Sequence, residues 1–83
     1  MNEKGFIKIA CDDGTIRVTE FYNNIDSNEF SEIFIDFVFR YIGGAFIYDD
    51  FSPCEVLFSY RDNTEEFHFE SLEEMRQWYL FEI

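Results

Sequence analysis

Aromatic side chains constrain this chain more than any other feature: 12 Phe, 5 Tyr and 1 Trp stand among 83 residues. Each such side chain buries roughly 150–250 Å² when it is packed. A chain of this length makes one domain, 1–83, and hides only about 60–65 per cent of the surface its unfolded form exposes. Such a domain depends on an efficient core, and the aromatic residues supply it. The hydrophobic fraction of 47 per cent also separates the chain from acidic disordered tails, which lack the apolar surface to offset the entropy of ordering.

The spacing of these residues assigns the elements. From Phe6 to Tyr22 the pattern is that of a hairpin, with Asp13-Gly14 as a favoured two-residue turn. That turn predicts Cys11 opposite Ile16 and Ile9 opposite Val18 on an apolar face, with Ala10 opposite Arg17 and Lys8 opposite Thr19 on a mildly basic one. Asp26 and Ser27 are N-cap candidates for a helix whose Phe30, Ile33, Phe34, Phe37, Val38 and Tyr41 recur at three and four residues. Gly43-Gly44 reads as its stop, and Ala45 to Tyr48 as a short optional strand. Ile35, Phe39 and Ile42 lie off the main stripe, so this helix carries more apolar surface than one sheet contact needs.

A second hairpin runs from Cys54 to Glu70 across Asp62-Asn63. Its predicted register sets Phe58 against Phe67 and Val56 against Phe69 toward the core, with Leu57 against His68, Ser59 against Glu66 and Glu55 against Glu70 outside. Ser71-Leu72-Glu73-Glu74 is a capping box opening a last helix with Leu72, Met75, Trp78, Tyr79 and Ile83 on its apolar side. The expected fold is α+β, an antiparallel sheet of four or five strands with two helices on one face, in the order ββα(β)ββα.

Chemistry is sparse. His68 is the only histidine, and no nucleophile or ligand set is spaced around it. Gly43-Gly44 lacks the Lys and Ser or Thr of a phosphate loop. Asp12-Asp13 and Asp49-Asp50 lack the alternating acidic ligands and closing Glu of a calcium loop and read as turns. Neither catalysis, nor a metal, nor a cofactor is expected. Cys11 and Cys54 read as small core hydrophobes in a reducing compartment. Met1-Asn2-Glu3-Lys4-Gly5 leads straight into a strand pattern and no apolar run approaches the roughly 18 residues a membrane span needs, so a cytoplasmic location is expected.

The charge is the remaining signal. Eighteen Asp and Glu face six Lys and Arg, a net −12, which argues against nucleic acid or an anionic membrane as direct ligand. Such a field steers encounters with basic partners. From Asp49 to Glu74 there are nine carboxylates and one basic residue, Arg61. The expected contact surface is Glu55, Glu66, Glu70, Glu73 and Glu74, with Asp49 and Asp50. Glu29, Glu32 and Asp36 add a row along the first helix, three and four residues apart. Phe51, Tyr48 and Trp78 are candidate anchors.

In size, acidity, compact α+β pattern and Glu and Asp runs the chain resembles the small anti-defence proteins of phages and mobile elements, above all anti-CRISPR and DNA-mimic anti-restriction proteins. That group shares no signature motif, so the resemblance assigns no residue. It implies a stoichiometric inhibitor whose partner is a CRISPR effector complex or another basic nucleic-acid-binding protein. The alternative expectation is a homodimer or larger homo-oligomer through Ile35, Phe39 and Ile42 of the first helix.

Overall fold

Alternation on both sides of the two turns does produce strands. The computed structural model describes residues 3–82. Strand β1 spans Lys4–Cys11 and β2 Ile16–Tyr22; helix α1 spans Ser27–Tyr48; strands β3 and β4 span Cys54–Tyr60 and Asn63–Phe69; helix α2 spans Leu72–Glu82. The order is therefore ββαββα, an α+β fold. All four strands form one antiparallel sheet in the order β2-β1-β3-β4. Residue Ile83, expected on the apolar side of α2, lies outside the described residues.

The odd-numbered side chains of β1 and the even-numbered ones of β3 face the helices. Ile7, Ile9, Val38, Val56, Cys54 and Met75 are at most 1 per cent exposed and form the centre of the core, with Phe34 and Ile42 of α1 beside them. Aromatic rings extend it toward the start of α1. Phe30 stacks on Tyr60 at 4.3 Å and meets Phe21 edge-on at 5.3 Å. Phe34 meets Phe58 at 5.3 Å and Trp78 at 5.9 Å, and Trp78 lies 5.1 Å from Phe67 and 5.0 Å from Phe69. One network of rings thus ties β2, β3, β4, α1 and α2 together, each pair adding about 0.5–1.5 kcal/mol beyond its buried area.

Both predicted registers are corrected. In the first hairpin Ala10 pairs with Ile16, Ile9 with Arg17 and Lys8 with Val18. The loop is three residues, Asp12, Asp13 and Gly14. The Gly14 N–H donates to the Cys11 carbonyl at 3.0 Å, Gly14 adopts φ +93°, and the Cys11 N–H donates to the Thr15 carbonyl at 2.8 Å. This is a tight turn followed by a left-handed glycine. Asp13 Oδ1 accepts from the Thr15 N–H at 2.9 Å, which locks the turn and holds the Asp13 carboxyl below its usual range. The one-residue slip moves Ile16 and Val18 to the open face of the sheet, where they are 59 and 51 per cent exposed.

In the second hairpin the turn is Arg61-Asp62, so Glu55 pairs with His68, Val56 with Phe67, Phe58 with Glu65 and Ser59 with Thr64. A slip of two residues keeps every side chain on its expected face but abolishes the expected Glu55–Glu70 pair. Tertiary bonds impose it. Arg61, at φ +56°, gives its N–H to Asn23 Oδ1 at 2.9 Å, its Nε–H to the Asn23 carbonyl at 3.2 Å and an Nη2–H to the Ile25 carbonyl at 2.9 Å. Its guanidinium also covers the Tyr60 ring at 5.1 Å. Asn23 is itself buried beside Gly5, where an added Cβ would strike the Ser59 carbonyl oxygen and approach Asn23 Oδ1 to 2.7 Å.

Gly43-Gly44 does not stop α1, and Ala45 to Tyr48 is helix, not strand. Two interior glycines cost about 1 kcal/mol each relative to alanine, and packing of Ile42 and Ala45 into the core outweighs that. The helix ends one turn later, where Asp49 takes a left-handed conformation at φ 51° and Pro53 follows. At its start Asp26 caps it, Oδ1 accepting from the Glu29 N–H at 2.8 Å.

Candidate protein-binding surface

The two-layer build separates the acidic residues singled out by sequence. Glu29, Glu32 and Asp36 are exposed on the outer side of α1, away from the sheet. Asp36 is engaged by Arg40 at 3.2 Å, one helical turn on; the exposed pair is worth only a few tenths of a kcal/mol. Glu55 and Glu66 stand on the opposite side of the molecule, the uncovered face of the sheet, with His68. These five residues therefore lie on two opposite faces and not on one.

On the open sheet face the carboxylates gather around His68. Its Nε2 lies 2.7 Å from Glu70 Oε1 and its Nδ1 3.7 Å from Glu55 Oε1. The hydrogen bond to Glu70 raises the His68 pKa above its ordinary 6.5, with smaller contributions from the Glu70, Glu55 and Asp12 charges. A raised histidine stabilises the fold below the unfolded pKa, and that contribution is lost as pH rises through the folded one. The His68 ring should thus titrate above 6.5 by NMR, and Glu70→Gln should bring it back toward that value; an unshifted wild-type midpoint would refute the cluster.

Glu73 and Glu74 occupy the first turn of α2, where the helix dipole favours them. Glu74 is partly consumed by capping: its N–H donates to Ser71 Oγ at 3.2 Å, and its carboxylate accepts from the Glu70 N–H at 2.9 Å. Ser71 caps the helix as expected, but the returning bond of the expected capping box goes to the Glu70 N–H and not to that of Ser71. Asp49 and Asp50 follow the C-terminal end of α1, with Asp49 serving as its cap. Among the anchors, Tyr48 is 75 per cent exposed, whereas Phe51 and Trp78 are half-buried.

Sequence reasoning missed one acidic residue. Glu65 falls on the helix-facing side of edge strand β4, in line with Phe67 and Phe69. There it borders a groove of about 440 Å³ between α1 and β4, walled by Phe30, Phe34, Phe58, Phe67 and Trp78. The alternation Glu65-Phe67-Phe69 was the available signal: it places a carboxylate on an otherwise aromatic face.

A second surface is apolar. Phe39, Phe46 and Ile47, 60, 64 and 75 per cent exposed, crowd the outer side of the last turns of α1, with Leu80 of α2 also exposed. Arg76 covers the Phe46 ring at 5.4 Å and Tyr79 lies 6.2 Å from Phe39. Of the residues expected to self-associate, Phe39 is open, Ile35 half-buried and Ile42 buried in the core.

Among the described residues no group of three or more His, Cys, Asp or Glu is arranged to hold a metal ion, and no helix is long and apolar enough to cross a membrane. Comparison with protein-family models, with curated proteins and with solved structures finds no match.

Proposed function

We propose that this chain is a stoichiometric protein inhibitor that occupies the basic nucleic-acid-binding surface of a bacterial defence complex, in the manner of an anti-CRISPR protein or DNA mimic, and is not an enzyme. One observation carries the reading: a protein of net charge −12 keeps an open aromatic groove with Glu65 at its rim. The groove suits the aliphatic stem and cationic head of a Lys or Arg, the residues that line phosphate-binding channels. Cation–π contact and the carboxylate together favour such a side chain by about 0.5–2 kcal/mol, and the field of the remaining carboxylates speeds association. In this reading Glu29, Glu32 and Asp36 add to that field from the outer side of α1, and Glu55, Glu66 and Glu70 from the open face of the sheet.

The test is capture of a bacterial nucleic-acid-binding complex by tagged protein at low and high salt. Wild type is compared with Glu65→Lys and with Glu66→Lys/Glu70→Lys/Glu73→Lys. Support requires that the captured protein binds DNA or guide RNA, that either nucleic acid competes with the inhibitor, and that Glu65→Lys loses most binding. Binding that ignores both salt and charge reversal would overturn the proposal.

The exposed Phe39, Phe46 and Ile47 favour a second reading, association with another copy of the chain. The two rings, 60 and 64 per cent exposed, offer roughly 200–300 Å² against the roughly 800 Å² that a standard interface takes from each partner. They would form the centre of an interface and need a rim. Sedimentation equilibrium of wild type and Phe39→Glu/Phe46→Glu decides it: a dimer lost in the variant supports self-association, and a wild-type monomer ends it.

A further inference from the structure

We propose that Cys11 and Cys54 form an oxidation site at which a small-molecule disulfide converts the two thiols into an intramolecular disulfide across β1 and β3. The two residues are direct partners in the β1–β3 register and both lie on the helix side of the sheet. The hydrogen bonding around them fixes which kind of pair they form. The Cys11 N–H is spent on β2, donating to the Thr15 carbonyl at 2.8 Å, while the adjacent Asp12 N–H donates across the other edge to the Pro53 carbonyl at 2.8 Å. Residues 12 and 53 are thus the hydrogen-bonded pair, and Cys11 and Cys54 the non-hydrogen-bonded pair next to it. In such a pair the Cα atoms stand about 4.5 Å apart with their side chains close, inside the window of roughly 4.4–6.8 Å that a disulfide spans. The register thus brings the two residues within the span of a disulfide.

Access and chemistry are uneven between the two sulfurs. Cys54 is 1 per cent exposed, and burial, with Cys11 beside it, pushes its thiol up to about 12. Cys11 is half-buried and opens on a cleft of about 630 Å³ between the first turn and the end of α1, which Thr15, Arg17, Tyr41, Gly44 and Asp50 also line. The Tyr41 hydroxyl lies 3.2 Å from Cys11 Sγ. Burial first, and then that hydrogen bond, raise the phenol well above its ordinary value, so Tyr41 keeps its proton and donates its hydrogen bond to the sulfur. Cys11, the sulfur that opens on the cleft, is accordingly the one that attacks. It displaces one thiolate from the small disulfide to give a mixed disulfide; Cys54 then attacks the Cys11 sulfur and displaces the second. Two electrons pass from the cysteines to the reagent, and their two protons go to the two released thiols.

The product would close a loop holding β2 and all of α1, a constraint of the kind that stabilises by restricting the unfolded chain. The experiment uses the reduced wild-type protein and glutathione disulfide. The expected result is loss of both free thiols per chain, an intact mass lower by two hydrogen atoms, and a higher thermal midpoint. Dithiothreitol should reverse all three. Trypsin without reductant should yield peptide 9–17 joined to peptide 41–61. A glutathione adduct persisting on Cys11, covalent dimers, or two thiols that stay free while the urea-unfolded chain is oxidised would each overturn the proposal.

Discussion

The two halves of α1 share one helix and treat their surroundings in opposite ways. Its first half faces inward with Phe30 and Phe34, rings packed against β2, β3 and α2, and outward with Glu29, Glu32 and Asp36. Its second half faces inward with the slighter Ile42 and Ala45 and outward with Phe39, Phe46 and Ile47. The first half is built to hold the domain together and stay solvated. The second is built thin, with glycines at positions 43 and 44 and apolar surface left in water. Core packing and exposed apolar surface are thus separated along one element, and mutations should separate them too.

The largest effect is expected from removing the anchor. Phe34→Ala should cost about 3–5 kcal/mol, the usual range for a large buried ring, read as a fall in urea midpoint. The matching truncation of the second half, Phe39→Ala, should change the monomer's midpoint little, since Phe39 is 60 per cent exposed; equal losses would erase the contrast. Next comes the cap. Asp26→Ala should remove about 1 kcal/mol, because the Glu29 N–H loses its acceptor. The smallest change should have the opposite sign. Gly43→Ala and Gly44→Ala should each stabilise the monomer by up to about 1 kcal/mol, since a Cβ at either position meets nothing within 4 Å. Destabilisation by either alanine would mean that the second half is covered in solution.

The sequence carried the element order and the helix faces, because alternation and three-to-four spacing are local signals that burial then obeys. What it could not carry was decided by contacts distant in the chain. Asp62-Asn63 has the better turn chemistry, yet Arg61 is held left-handed by Asn23 and Ile25. Gly43-Gly44 is a stop by propensity, but Ile42 and Ala45 on either side are drawn into the core. Asp13-Gly14 did mark a turn; a three-residue loop uses the same glycine one position later, and that single step moved Ile16 and Val18 to the open face. The candidate surface was legible as a count of carboxylates and illegible as a shape. Opposite faces of a two-layer domain hold Glu32 and Glu66, and only the pairing of Phe58 with Glu65 brings a carboxylate to the aromatic groove.

The sheet order β2-β1-β3-β4 also fixes how the molecule assembles in time. Each outer pairing is a hairpin that closes within microseconds once its turn forms. The central seam between β1 and β3 joins segments separated in the chain by β2 and all of α1, so forming it closes a long loop. Such non-local pairing is the slow event in folding. Ile9 and Val56, partners in that seam and both fully buried, are therefore the positions where truncation should slow refolding most, while changes in either turn should act mainly on the rate of unfolding.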